Sequence, residues 1–191
     1  MRYGWLLLLA LFSIPASAAN PEVEMKTNMG SVLIELYPDK APKTVANFLS
    51  YVKEGFYSGT IFHRVIKGFM IQGGGYTTGF REKPTHPPIV NEAANGLRNI
   101  PGTIAMARTA DPNSATGQFF INVNDNRSLN YIDPSPEQIG YCVFGRVLKG
   151  MAVVNKIADL PTGPGGSFLS DVPEKTVVIE SMSLISQQGK P

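Results

Sequence analysis

The sequence predicts a mainly β domain, a closed barrel or a sandwich, with two helices among about eight strands. Three observations point there. Short runs rich in β-branched and aromatic residues recur along the chain, and only two segments space their apolar residues as a helix does. The 19 glycines and 15 prolines are spread throughout as punctuation, which suits many short strands. Closure into a barrel would remove exposed sheet edges.

The elements follow in order. VEMKTNMGSVLIELY reads as a hairpin, with Val32, Ile34 and Leu36 alternating with polar or smaller residues after a turn at residues 28–30. APKTVANFLSYVKEGFY reads as a helix beginning near Pro42, where a missing N–H costs no helical bond. Val45, Phe48, Leu49 and Val52 fall at i, i+3, i+4 and i+7, and Gly55 can end the helix. Strands are then expected at TIFHRVI, FMIQG, GTIAMA, QFFINV, YCVFGRV and KTVVIESMSLI. Between the last two, MAVVNKIADL places Val153, Val154 and Ile157 at helical spacing. Residues 73–99 and 124–140 are irregular segments long enough either to carry binding groups or simply to pad a surface.

Residues 1–18 do not read as part of this domain. Arg2 precedes an apolar run at residues 5–12, and Pro15 leads to the A-x-A pattern of Ala16 and Ala18. This is the pattern of a cleaved signal peptide, and its apolar run is far short of the roughly 20 residues that span a bilayer. The expected organisation is therefore a signal peptide at 1–18 and one domain at 19–191. Of 17 basic and 15 acidic side chains, only Arg2 lies in the leader, so the mature domain is nearly neutral. Nothing suggests attraction to nucleic acid or to an acidic membrane surface. Cys142 is the single cysteine, so no internal disulfide forms; within YCVFGRV it reads as a buried free thiol.

Most reaction classes lack their residues. Two histidines, His63 and His86, and one cysteine cannot build a Cys- or His-rich metal site, and no cofactor motif is present. GGGY at residues 73–76 lacks the lysine and spacing of a phosphate-cradling loop and reads as a turn. There is no G-x-S-x-G elbow, and His63 has no identifiable triad partners. Strand alternation turns His63 away from Arg64, as a hydrogen-bonded packing residue.

What remains is apolar surface with a few polar groups. Alternation puts Gln118 and Phe120 on one face and Phe119 on the other, and points Met106 opposite Ala105 and Ala107. In FMIQ it pairs Met70 with Gln72, so Phe69 can join them only through a bend near Gly68. Arg64 is the odd member of FHRVIKGFMIQGG, a stretch without a carboxylate to partner its guanidinium.

FHRVIKGFMIQGG, then GTIAMARTADPNSATGQFFINV and GYCVFGRVLKGM, closely resemble the cyclophilin family of peptidyl-prolyl cis–trans isomerases, in its bacterial exported, periplasmic branch. The resemblance spans about residues 23–185. It implies an eight-stranded antiparallel barrel closed by two helices, with a groove for the proline of an extended peptide. By position it implies a catalytic Arg64 oriented by Gln72. Substrate would be held by Phe69, Met70, Ala107, Arg108, Gln118, Phe120, Leu129 and Tyr141. Arg108 stands where well-known eukaryotic members have asparagine, and Tyr141 replaces a histidine at the groove's edge. Ser128 aligns with their cyclosporin-contacting tryptophan. The only tryptophan here is Trp5, in the leader, so weak cyclosporin binding is expected.

The function so implied is acceleration of X–Pro rotation in exported proteins, in the periplasm, by a monomer without cofactor or stable membrane anchor. A non-catalytic, chaperone-like module binding through the same groove is the alternative. A carbohydrate-binding barrel is a third, disfavoured by the lack of tryptophan in the mature chain.

Overall fold

The computed structural model describes residues 19–185, and the expected signal peptide, with Trp5, lies outside them. The strands are β1 (Glu22–Thr27), β2 (Gly30–Leu36), β3 (Thr60–Ile66), β4 (Met70–Thr77), β5 (Thr103–Met106), β6 (Phe119–Asn122), β7 (Val143–Lys149), β8 (Thr162–Gly165), β9 (Phe168–Pro173) and β10 (Val178–Ile185). The helices are α1 (Pro42–Lys53) and α2 (Met151–Ala158). Eight strands close into an antiparallel barrel in the order β1-β10-β3-β4-β6-β5-β7-β2. Closure, not a sandwich, is how the chain satisfies its edges.

The barrel interior is filled with rings. Phe48 of α1 meets Phe119 at 5.9 Å, Phe144 at 5.1 Å and Tyr57 at 5.3 Å between centroids. This is why the helical stripe around Phe48 is buried, with Val45, Tyr51 and Val52 beside it. Val154 and Ile157 of α2 enter the same core. Helix α1 has no local side-chain cap. Instead the carboxylate of Glu92 accepts hydrogen bonds from the Lys43 and Thr44 N–H groups, at 3.1 and 2.8 Å. A negative charge at a helix N-terminus is favourable, and this one ties a long loop to the helix.

Three expectations need correction. The GGGY segment is not a turn: residues 73–76 belong to β4, and the irregular stretch starts after Thr77. Glycines suit this stretch because the strand is crowded. A Cβ on Gly75 would come 2.5 Å from Gln118 Cγ, and one on Gly73 would come 2.9 Å from the Ile61 carbonyl oxygen. Second, His63 does not turn away from Arg64. Phe62 pairs with Gly73 and Arg64 with the adjacent Gln72, so His63 is the extra residue of a bulge that resets the alternation. Third, β8 and β9 form a separate two-stranded sheet that TGPGGSF, rich in strand-poor residues, does not advertise.

Candidate functional site

The outer wall of the barrel carries a second apolar cluster, separate from the core. Met70, Ala105, Phe120 and Val143 form it, with Phe69, Ala107, Leu129 and Tyr141 packed against them. Alternation explains the division as expected. Phe119 and Met106 point into the barrel, while Phe120 and Ala105 point out yet remain buried. Phe69 joins from outside β4 because Gly68, at φ 71°, turns the chain just before it. Leu129 arrives on a single 3₁₀ turn, Arg127–Leu129.

Three buried asparagines hold these walls at fixed separation. Asn126 Nδ2 donates to the Phe69 carbonyl at 2.8 Å and to Asn122 Oδ1 at 2.6 Å. Asn122 Nδ2 donates to Asn99 Oδ1 at 3.1 Å. Asn99 Nδ2 in turn donates to the carbonyls of Leu129 at 3.0 Å and Tyr141 at 3.3 Å. Their contribution is invisible locally, since the partners are distant in sequence.

A strip of polar groups runs beside the apolar floor. Arg64 Nη1 donates to Gln72 Oε1 at 3.4 Å, Gln72 Nε2 to Gln118 Oε1 at 3.3 Å, and Gln118 Nε2 to Glu82 Oε1 at 3.4 Å. A carboxylate only accepts, so Glu82 sets both amides in one sense and leaves a carbonyl oxygen facing the guanidinium. On its other side Arg64 Nε lies 4.0 Å from Asp171 Oδ2. Asp171 sits on β9 in the left-handed region, φ 66°, which aspartate tolerates better than most residues. The carboxylate missing from FHRVIKGFMIQGG is thus supplied by the hairpin.

Arg108 plays a different part. Its guanidinium lies 4.5 Å over the Tyr141 ring, and its Nε donates to the Gly140 carbonyl at 3.2 Å. Tyr141 meets Phe120 edge-on at 5.7 Å, so Arg108 braces the wall of the slot.

One cavity of about 300 Å³ is lined by all ten residues singled out in the sequence: Arg64 and Gln72, and the eight expected to hold substrate. It is also lined by His63, Tyr76 and Phe168, which sequence reasoning did not place there. Burial pushes the His63 imidazole down to about 4, so it is neutral near pH 7, and the Arg64 charge acts in the same direction. Its Nδ1 has no hydrogen-bond partner, but the ring keeps a backbone hydrogen bond at Ile61, which opposes the downward shift. Cys142 is buried and free, as expected, with burial raising its thiol to about 11. Among the described residues, no serine, cysteine, lysine or carboxylate lines the cavity.

Fold and lining together define a closed β-barrel protein with a largely apolar surface groove edged by a polar strip. Residues 22–184 match the family model for cyclophilin type peptidyl-prolyl cis-trans isomerase/CLD, and the chain belongs to that family. It is 57% identical over 168 residues to a peptidyl-prolyl cis-trans isomerase of Acinetobacter baylyi, covering 88% of this chain and 87% of the relative. It is 56% identical over 162 residues to peptidyl-prolyl cis-trans isomerase B of Escherichia coli, covering 85% and 98%. A solved Cryptosporidium parvum cyclophilin, crystallised in the presence of the dipeptide Ala-Pro, superposes with a TM-score of 0.69 at 28% identity. That match covers 87% of this chain and 99% of the other. The chain is a peptidyl-prolyl cis–trans isomerase.

Proposed function

We propose that Arg64 is the catalytic group and that the enzyme works on proline-containing segments of exported proteins. Rotation about an amide faces a barrier of roughly 18–20 kcal/mol because C–N resonance is lost. For X–Pro the cis form costs only about 0.5–1 kcal/mol, so exchange is nearly balanced but slow. Neither a nucleophile nor a proton shuttle is needed. In the twisted amide the prolyl nitrogen regains a lone pair, and a guanidinium donating to it binds the transition state better than either planar ground state.

Each residue has a part in this scheme. Phe120, Met70, Leu129 and Phe69 hold the pyrrolidine ring, while the preceding carbonyl swings. Gln72 fixes the plane of the Arg64 fork, and Gln118 fixes Gln72. The Ala107 N–H is already committed to the Gln118 carbonyl at 3.0 Å, which stiffens the edge where an extended peptide would lie. Arg108 and Tyr141 close the slot. The observation that carries this reading is the Arg64–Gln72 contact at the rim of the Phe120 cluster, in one cavity with the apolar slot.

The remaining parts rest on the sequence. We assign residues 1–18 as a leader removed on export, residues 19–191 as the mature isomerase, and the periplasm as its compartment. The mature protein acts as a monomer, and without an indole at the groove it binds cyclosporin weakly. Exchange spectroscopy on an X–Pro peptide tests the activity: a catalytic amount of mature chain speeds cis–trans exchange, whereas exchange at the buffer rate contradicts it. N-terminal sequencing of the exported protein should start at residue 19, and a retained leader would refute cleavage. A low-nanomolar dissociation constant for cyclosporin would refute the weak-binding assignment.

A further inference from the structure

The groove extends beyond the slot assigned to proline. Along β4 the order is Met70, Gln72, Tyr76, so the polar strip divides the cavity into two apolar parts. On the Met70 side lies the Phe120 cluster. On the Tyr76 side three rings pack on one another: His63 on Tyr76 at 4.6 Å, His63 on Phe168 at 5.2 Å, and Tyr76 edge-on to Phe168 at 5.1 Å. Phe168 comes from the β8–β9 hairpin, outside the barrel, and rests also on Phe80 at 6.3 Å. It is only half-buried and lines the cavity.

We propose that this ring triad is a second slot, for an aromatic or large apolar side chain next to the substrate's proline, and that Phe168 sets the preference. The proposal rests on the isomerase reading of Arg64. With Arg64 at the prolyl nitrogen and the proline ring against Phe120, an extended substrate crosses the polar strip. The triad lines the same cavity as Arg64 and Phe120, so a side chain next to the proline has the triad as its wall on that side. A half-buried ring offers edge or face contact to another aromatic group, and an apolar group gains by leaving water. A small or acidic neighbour gains neither. The expected discrimination is roughly 3- to 10-fold in kcat/KM. The hairpin is thus a specificity element, and Phe168 acts through substrate contact while Asp171, three residues on, faces Arg64.

Two peptide series test this, one varying the residue before proline and one the residue after it, each with Phe, Leu, Ala and Glu. Wild type should favour Phe and Leu over Ala and Glu in one series. In Phe168→Ala the Phe-to-Ala ratio should fall toward one, and Phe168→Leu should keep the Leu preference while losing part of the Phe preference. Should the alanine variant fail to fold, the leucine variant and the wild-type panel decide. An active wild type with no preference overturns the proposal, as does a ratio that survives Phe168→Ala, including uniform loss on every peptide. If wild type accelerates no peptide at all, the isomerase reading itself falls, a result distinct from activity without preference.

Discussion

Arg64 and Gln72 are direct partners across the β3–β4 pair, and the Gln72 Oε1 accepts from Arg64 Nη1 at 3.4 Å. The bulge at His63 puts them opposite one another. Removing Gln72 therefore leaves the guanidinium charged and close, but held only on its Asp171 side, at 4.0 Å. Gln72→Ala should lower kcat roughly 10-fold with a smaller change in KM, because orientation matters most in the transition state. Steady-state kinetics on one X–Pro peptide checks this; a change confined to KM would place Gln72 in ground-state binding instead.

Gly75 lies beneath Gln118, and an added Cβ would come 2.5 Å from its Cγ and 2.6 Å from its Cδ. The side chain is flexible, so it would swing aside rather than unfold the strand. Gly75→Ala should reduce kcat/KM several-fold while the midpoint of thermal unfolding moves little. Unaltered kinetics would show that the Gln118–Gln72 bond is dispensable.

Glu92 supplies the cap that α1 lacks locally. Glu92→Ala should cost about 1 kcal/mol, seen as a fall of about 2–4 °C in the unfolding midpoint. Calorimetry with no shift would mean that water serves the helix terminus as well.

His63 gives the protein a pH dependence of stability. Its folded value, lowered to about 4 mainly by burial, lies below the ordinary value of 6.5. Between these the unfolded chain binds a proton that the folded chain refuses, so stability falls as pH drops from about 6.5 toward 4. The loss from this group is on the order of 3 kcal/mol. Denaturant unfolding of wild type and His63→Gln at several pH values checks it: the variant should lose the part of the slope due to this ring. Equal slopes would contradict the assignment.

Much of this was legible in the chain because it depends on local pattern. Val32, Ile34 and Leu36 of the β2 strand are all buried, as their alternation requires, and the opposed faces of Phe119 and Phe120 follow from one residue of register. The need for a turn at Gly68 was also visible, since Phe69 cannot otherwise share a face with Met70. What escaped depends on contacts distant in sequence or on broken regularity. The His63 bulge cancels the alternation used to place it. Phe168 and Asp171 belong to a hairpin whose glycines and proline argue against strands, and Asp171 is distant in sequence from the Arg64 it faces. Asn99, Asn122 and Asn126 read individually as loop or turn residues, yet together they hold the groove walls.

The central claim is that the Arg64 guanidinium lowers the rotational barrier. The most direct test is kcat/KM of purified, folded Arg64→Ala beside wild type on the same X–Pro peptides, with peptide affinity measured separately. The account predicts a loss of roughly 100-fold or more in kcat/KM with affinity changed far less, since the lost contact forms chiefly in the transition state. A variant that turns over as fast as wild type would contradict it.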